Sequence, residues 1–584
     1  MKISVFHLAV LALSLSIGCA AEPADQTAAL ARVHFAGSRL LAGDTNAARQ
    51  TAIFSLPVSQ ELLDHFYDRL STGIYQSLTR ATNVPLFGHR YLLKSLLPDV
   101  VGAEMCFELR GPANQMEWAL AVQLEEPRAG VWRTNLTKLA AAWELGAVRE
   151  LRLAGASGIE CRKAGGPPVF RLARAGKWIV LGGAATEPKL LSELIEQIRQ
   201  QGRPVAALTT NWLEIAADLP QLRPQLHHWL GNLSLPRVTL ALNGKGEYLR
   251  SQARLHFSEP FAALEPWRIS TNHIHDPVVS FTALRSIGPV LRGLPVLASL
   301  DLPQLPTQLC LWAQQNIPYE TCFAAPLADA AKLMRSLTPK IAALIPTNTF
   351  WMPTEVTWAT NRSEISWHGM PYVSPNLRAI EEAGTEFVLG GFFPPLTRTN
   401  AVAAELYAQF LGRPDVLYYD WEITQERLKQ WREMYLLRSF FLMSSYSPTN
   451  APSQKWLIAL EPELGNTITE ATLTSPNEVF VTRKSHLGFT GWELVTLMRW
   501  LDSTHFPRTF DPAPPYDREA ARREHRKQAG ATNAATGRPK IPLSTNAPGT
   551  KVRSLPGGAV PVPVPATEKK PPGTPAPPAT PKQP

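Results

Sequence analysis

Apolar residues recur along this chain at two spacings, one typical of helices and one typical of strands. From 59 to 78 they lie three or four positions apart, which predicts a long amphipathic helix. Alternating apolar residues flank the Asn-Gly-Lys-Gly turn at 243–246 and predict a β-hairpin. Two further helices are predicted near the C-terminus, one from 424 to 442 and one that begins at a capping box of Thr490 and Glu493.

A short series of motifs occurs twice, about 208 residues apart. The offsets between matching residues are 208, 210, 209 and 208. Several matches in the same order at the same offset are not expected by chance, so the sequence predicts two copies of one domain. The motifs are AG..VLGG at 175–183 and 383–391, Gly-Arg-Pro at 202–204 and 412–414, Asn-Trp or Asp-Trp at 211–212 and 420–421, and Glu-Ile at 214–215 and 422–423.

Each copy of the motif series predicts a strand, a turn, a helix and a stop. The apolar letters before Gly182 form the strand. Thr186 and Asn400 are expected to cap the helix of their copy, and Gly202 and Gly412 to end it in the left-handed conformation. The predicted fold class is therefore α+β: two tandem copies of a similar strand-rich domain with packed helices, followed by a disordered proline-rich tail.

The tail differs from the rest of the chain in composition. Residues 511–584 hold 17 of the 52 prolines, with 12 basic and 5 acidic side chains. Its Val-Pro pairs favour polyproline II. The predicted segments are an export signal at 1–21, an N-terminal helical segment at 22–90, repeat domain 1 at 91–266, a linker at 267–277, repeat domain 2 at 278–508, and a disordered basic tail rich in proline, alanine and lysine at 509–584.

Charge argues against a nucleic-acid partner. The isoelectric point is about 9.3 and the formal charge is +9, but the tail carries +7 of it. Without the tail and Lys2, the body has 45 basic and 44 acidic residues and gives no electrostatic reason to bind phosphates. At 584 residues the chain is also too long for a single core.

The first 21 residues have the order of an export signal: a basic Lys2, an apolar stretch at 3–17 and then small residues. The Ser-Ile-Gly-Cys run at 16–19 resembles the lipobox of bacterial lipoproteins, with Ser16 in place of the usual leucine. Lipidation of Cys19 would anchor the protein to a membrane, whereas ordinary cleavage after residue 21 would remove that cysteine. Both alternatives place the protein outside the cytoplasm, in the periplasm or anchored to the outer membrane.

Four cysteines remain after either form of processing, an even number that suits an oxidising compartment. Cys310 and Cys322 lie symmetrically about Asn316, so two strands of a hairpin would bring them close enough for a disulfide. Cys106 and Cys161 are the pair that remains.

Two polar clusters are candidate sites. His273, His275 and Asp276 have the spacing of metal ligands on an extended segment, but they fall in the linker and read more simply as polar linker residues. Asp420 and Glu422 would share one face of a strand, as the paired carboxylates of glycosidases do. The first copy lacks that spacing, which favours a helix N-cap at Asp420 instead.

Common catalytic signatures are absent from the sequence. It contains no HExxH, no Gly-x-Ser-x-Gly, no CxxC pair and no Gly-x-Gly-x-x-Gly. The glycines of VLGG are not followed by Gly-Lys-Ser/Thr, so they do not form a P-loop. No catalytic residue, metal ligand or cofactor is therefore predicted.

Three short stretches carry a resemblance to a known group. VHFAG at 33–37 and LLAGDTN at 40–46 resemble the opening of uncharacterised exported proteins of verrucomicrobial type, and RKSHLG at 483–488 is similar to a stretch near their end. The resemblance implies no activity, because none is assigned to that family. It implies a location in the cell envelope.

These observations favour a non-catalytic cell-envelope protein whose duplicated domains form a binding surface for a macromolecule. The expected partner is an envelope protein or a cell-wall polymer, and the only membrane contact would be a lipid anchor. The alternative is a secreted hydrolase that acts on a glycan or peptide in the groove between the repeats. Enzymatic activity thus stays open, with a non-catalytic role preferred.

Overall fold

Among the residues that the computed structural model describes, twenty strands form one antiparallel sheet and the chain forms thirteen α-helices. The described residues are 29–79, 89–112, 115–184, 189–204, 210–223, 234–292, 300, 302–315, 320–344, 355–369, 373–393, 400, 402, 404–441, 450–503 and 506–507. The predicted export signal with Cys19, the predicted helix cap Thr186 and the predicted tail at 509–584 lie outside the described residues.

The first ten strands are β1 (Ala29–Phe35), β2 (Met105–Arg110), β3 (Glu117–Gln123), β4 (Ala147–Leu153), β5 (Ala156–Arg162), β6 (Pro168–Ala175), β7 (Trp178–Ala184), β8 (Leu213–Asp218), β9 (Arg237–Lys245) and β10 (Tyr248–His256). The other ten are β11 (Val278–Arg285), β12 (Gln308–Gln314), β13 (Thr321–Pro326), β14 (Glu355–Ala359), β15 (Glu364–His368), β16 (Asn376–Glu382), β17 (Thr385–Gly391), β18 (Val416–Ile423), β19 (Asn466–Ser475) and β20 (Glu478–Ser485).

The helices are α1 (Ser38–Leu41), α2 (Ala48–Ser55), α3 (Pro57–Thr79), α4 (Arg90–Lys94), α5 (Leu97–Gly102), α6 (Glu126–Ala142), α7 (Leu190–Gln201), α8 (Gly288–Arg292), α9 (Ala330–Leu344), α10 (Ala404–Ala408), α11 (Thr424–Phe441), α12 (Pro452–Leu460) and α13 (Gly491–Asp502). None of the described helices is both long enough and apolar enough to cross a membrane.

The two halves of the sheet have the same strand order. From one edge to the centre the order is β4-β5-β6-β7-β3-β2-β1-β8-β9-β10. From the other edge it is β14-β15-β16-β17-β13-β12-β11-β18-β19-β20, which is the first order with ten added to every strand number. The halves meet where β10 pairs with β20.

Helices cover both faces of the first half. On one face Ile179 packs in a cluster with Trp132 of α6. On the other face the neighbouring Val180 packs with Leu191 and Ile195 of α7. Because successive residues of a strand point to opposite faces, a strand covered on both sides is apolar without alternation, as β7 is.

Residues that match in the sequences of the two halves are one position away from being structurally equivalent. The two-residue turn between paired strands lies at 176–177 in the first half and at 383–384 in the second, an offset of 207. The letters match at 208. Val180 consequently packs against α7, whereas its counterpart in the sequence, Val388, packs on the opposite face with residues of α9.

The predicted glycine cap at the C-terminal end of the helix is present in the first half only. Gly202 ends α7 in the left-handed conformation with φ of 77°, as predicted, and its carbonyl oxygen accepts a hydrogen bond from Trp178 Nε1. In the second half α10 ends at 408, so Gly412 is not its cap. Asn400 lies four residues before α10 and its carbonyl oxygen binds the Asp276 N–H instead.

Residues 22–90 contribute more than helices. The long helix predicted there is confirmed as α3, but the same segment contains β1, which pairs with β2 and β8 in the middle of the first half. Apolar side chains of α2 and α3 pack with those of α11, α12 and α13 near the end of the described chain. The residues in this cluster include Ile53, Leu62, Leu70, Leu428, Trp456, Leu494 and Trp500.

The predicted elements near the C-terminus are also confirmed. α11 covers the predicted helix, and Thr490 and Glu493 form a complete capping box at the start of α13. The predicted hairpin is present as β9 and β10, but its turn lies at 246–247 instead of 243–246, because Asn243, Gly244 and Lys245 pair with β10 as part of β9.

Replacing Gly491 by alanine should destabilise the fold by about 2–3 kcal/mol, because overpacking in a closely packed region has costs of this size. A Cβ atom at position 491 would lie 2.6 Å from the backbone nitrogen of Leu428, so α11 and α13 would have to separate. The measurement is the free energy of unfolding in urea. The control is Gly130→Ala in α6, where a Cβ atom meets nothing within 4 Å. That change should be neutral or stabilising, and an equal loss in both variants would contradict the packing argument.

Candidate functional site

Three segments meet at one corner of the first half and leave an open cleft between them. They are the chain after β1, the residues that lead into β8, and the end of β9. The cleft has a volume of about 630 Å³, within the range of about 300–1,000 Å³ common for small-ligand sites. Its polar lining residues are Asp44, Asn46, Thr210, Asn211, Asn243 and Lys245.

Glycine allows these segments to approach one another. Gly244 lies on the cleft wall, where a Cβ atom would overlap the ring of Trp212 and the carbonyl oxygen of Asn46. Gly37 has φ of 88°, and a Cβ atom there would overlap the backbone of Ala103. A larger residue at 244 would therefore force the walls of the cleft apart, and one at 37 would push the start of α1 away from Ala103.

Asp44 is held in one orientation by two donors. Its Oδ1 accepts the backbone N–H of Asn46 at 2.8 Å, and its Oδ2 accepts Trp212 Nε1 at 2.9 Å. These hydrogen bonds, with the Asn46 N–H as the largest effect, lower the pKa of the Asp44 carboxyl. The group is therefore a fixed, ionised acceptor and is unsuited to donate a proton to a substrate near neutral pH.

Two of the three asparagine amides of the cleft are hydrogen-bonded to each other, and the third, that of Asn46, donates to Asp44 Oδ1 at 3.3 Å. Asn243 Nδ2 donates to Asn211 Oδ1 at 3.3 Å, and Asn211 Nδ2 donates to Glu214 Oε1 at 2.7 Å. Asn46 Oδ1 accepts the N–H of Gly246 at 3.3 Å. An amide has two donor hydrogens and two acceptor lone pairs, so each asparagine keeps hydrogen-bonding capacity beyond these contacts.

No family model, curated protein or solved structure matches this chain. The chemistry of its sites therefore has to be read from its own side chains.

The carboxylates of β18 are buried structural groups. Asp420 and Glu422 lie in the strand, so the N-cap interpretation of Asp420 is wrong. They do share a face, but only 2% and 4% of their surfaces are exposed, and a substrate cannot reach them. Asp420 accepts a hydrogen bond from Thr282 at 2.6 Å, and Glu422 accepts the Gly491 N–H at the start of α13 at 2.7 Å.

A buried cation completes this region. Burial lowers the pKa of the Arg427 guanidinium, while Glu422 and Asp420 oppose that effect. In β20, on the far side of β19, Arg483 donates to Glu493 at 2.8 Å and to Thr469 at 2.9 Å. The charges therefore hold α11 and α13 against the sheet.

The histidines of the predicted linker do not form a metal site. Among the described residues, no group of three or more histidine, cysteine, aspartate or glutamate side chains is placed to hold a metal ion. His273 Nδ1 lies 2.9 Å from Ser270 Oγ and 3.5 Å from a Glu382 oxygen. Ser270 donates to the same Glu382 oxygen and is fully buried, so the three residues anchor the linker to β16 and cannot act as a nucleophile, base and acid.

The predicted disulfides are not formed, and all four described cysteines are buried free thiols. The strands carrying Cys310 and Cys322 do pair, but Cys310 faces Ala324 and Cys322 faces Trp312. The cysteines are thus diagonal neighbours, about 7–8 Å apart, beyond the usual reach of a disulfide.

The second predicted pair is farther apart. Cys106 lies in β2 and Cys161 in β5, with β3, β7 and β6 between them. Four strand spacings amount to about 19 Å. Their side chains also belong to clusters on opposite faces of the sheet.

All four thiols should resist alkylation in the folded protein and react fully once it is unfolded without reductant. Burial raises the pKa of Cys106 to about 12 and also raises that of Cys310, so the reactive thiolate is scarce at neutral pH. Mass spectrometry of the purified, unreduced protein gives the readout. A linked peptide containing Cys310 and Cys322, or two unlabelled cysteines after unfolding, would contradict the structure.

Glu422→Ala should destabilise the protein by about 3–5 kcal/mol, because Arg427 and the Gly491 N–H would lose a buried partner. Chemical denaturation measures the effect. Glu478→Ala is the matched control, since this glutamate pairs with Arg254 at the surface in β20, where little change is expected. A small effect at 422 would show that the carboxylate is not needed to hold α13.

Proposed function

We propose that this chain is a non-catalytic binding protein of the bacterial cell envelope, built from two copies of one domain. In this proposal the halves form one rigid frame that presents a surface to an envelope protein or a cell-wall polymer. The export signal delivers the chain to the periplasm, where either a lipid on Cys19 anchors it to the outer membrane or cleavage after residue 21 releases it.

The main support is the shared strand order of the two halves. Ten strands of each half pair in the same sequence, and the halves join through β10 and β20 into one continuous sheet. Duplicating a frame in this way extends a surface without adding chemistry. The matching motifs at offsets of 208 to 210 point in the same direction.

The burial of the candidate catalytic groups favours binding over hydrolysis. The carboxylates Asp420 and Glu422 are almost completely buried, and so is Ser270 beside His273. The open cleft instead presents amides, a hydroxyl, an ammonium and a carboxylate of lowered pKa. These groups suit recognition of a ligand better than acid–base or nucleophilic catalysis.

Crosslinking in cells, followed by mass spectrometry of the tagged full-length protein, tests the binding role. We expect one envelope protein, or one type of cell-wall fragment, to copurify reproducibly and to map to one face of the first or second half. A chain that carries the same tag but lacks residues 1–21 is the control, because it should stay in the cytoplasm and lose the partner.

Recovery of the full-length protein as an uncrosslinked monomer would contradict the proposal. Turnover of a glycan or peptide by the purified protein would favour the hydrolase alternative instead.

A further inference from the structure

We infer that the cleft at the corner of β1, β8 and β9 binds an uncharged, N-acetylated saccharide. This inference rests on the proposed binding function and gives its ligand a chemical class. It follows from the hydrogen-bonding groups, the charge balance, the apolar wall and the surroundings of the cleft.

The polar groups of the cleft match hydroxyl and acetamido groups. Asn46, Asn211 and Asn243 each keep donors and acceptors beyond their internal bonds. Sugar hydroxyls both donate and accept, and an acetamido group adds one N–H and one carbonyl oxygen. Planar amides held in fixed positions can bind such pairs of groups in a bidentate manner.

The charge of the cleft disfavours anionic ligands. Its lining holds one carboxylate, Asp44, and one ammonium, Lys245. A site for phosphates or acidic polymers requires a surplus of cations. The near balance of charge instead suits a neutral ligand whose affinity depends on hydrogen bonds and apolar contacts.

One wall of the cleft is apolar and exposed. Leu40 keeps 67% of its surface in contact with solvent, and Ala36 and Leu41 lie beside it. The methyl of an acetamido group and the C–H face of a sugar ring provide matching apolar surface. An apolar wall facing a row of amides therefore fits a ligand with one polar and one apolar side.

The equivalent corner of the second half is filled by the chain itself. That corner lies at the end of β11 and the start of β18, where Arg285 donates to the carbonyl oxygens of Val416 and Glu265, both at 2.7 Å. The guanidinium lies 4.6 Å from the centre of the Trp267 ring. Glu265 and Trp267, in the segment between β10 and β11, thus cover this corner, whereas the first half leaves its own corner open.

A peptide fits the cleft less well. Peptides commonly bind by adding a strand to a free sheet edge, but β8 is already paired on both sides, with β1 and with β9. The strand backbone beside the cleft is therefore engaged within the sheet, and recognition falls to the side chains.

Calorimetric titration of the full-length protein tests the inference. The probe is the β-1,4-linked tetramer of N-acetylglucosamine, and we expect a Kd of about 1 mM or lower. The β-1,4-linked tetramer of glucose has the same linkage without acetamido groups and should bind about tenfold more weakly. Affinity for the acetylated probe should change little between low and high salt, because the ligand carries no charge.

Asn243→Ala should weaken binding of the acetylated tetramer about tenfold, because it removes one amide from the row. Asn477→Ala is the matched control: this asparagine is in the corresponding hairpin of the second half, where its backbone carbonyl oxygen accepts the N–H of Phe257, a bond that the variant keeps. It should leave the affinity unchanged. Thermal unfolding of both variants verifies that the fold is retained.

Absence of binding, or equal loss in both variants, would overturn the inference. Equal affinity for the two tetramers would overturn the acetamido assignment, and preferential binding of alanine tetrapeptide would replace the saccharide with a peptide. A partner found by crosslinking in cells while the tetramer does not bind would leave the proposed function intact and reject only this ligand.

Discussion

The pairing of β10 with β20 is the contact on which the two halves of the sheet depend. It extends from Leu249 opposite Ser485 to His256 opposite Glu478, an unbroken antiparallel ladder of eight residue pairs. Each strand is the last of its half, so the ladder turns two ten-stranded sheets into one. Among the described strands it is the pairing through which the halves are hydrogen-bonded to each other. The helices α11 and α13 are held to the sheet by contacts other than this ladder.

Buried charges attach those helices to the sheet. Glu422 accepts the first N–H of α13, and Arg483 of β20 pairs with Glu493 in the same first turn. Charges are costly to bury, and they persist in a core when their partners are correctly placed. The arrangement therefore specifies where α13 lies, while apolar contacts supply most of the stability. The same demand explains why the two carboxylates of β18 cannot serve a substrate: their hydrogen-bonding capacity is committed to the fold.

Local patterns in the sequence predicted local structure, and non-local pairing was beyond them. Periodicity identified α3, and turn chemistry identified the β9–β10 hairpin. The membership of β1 in the sheet depends on strands more than 70 and 170 residues away, which no local pattern encodes. Local patterns do not indicate the cleft for the same reason: they mark Asn243 only as a turn residue, and its neighbour Asn211 only as part of a repeat. The disulfide prediction failed because Cys310 pairs with Ala324, two residues beyond Cys322. The strands are neighbours, but the two cysteines are not opposite each other.

The one-residue difference between the matching motifs is tolerable because both faces of these strands are covered. In a sheet with one wet face, such a slip would expose the core and bury polar side chains. Here Val180 and Val388 face different helices, yet each enters an apolar layer. Strand order can therefore be preserved while residues that match in sequence come to lie on opposite faces of the sheet. In the proposed binding role the two corners differ, because the chain covers one and leaves the other open, so the halves need not bind the same ligand.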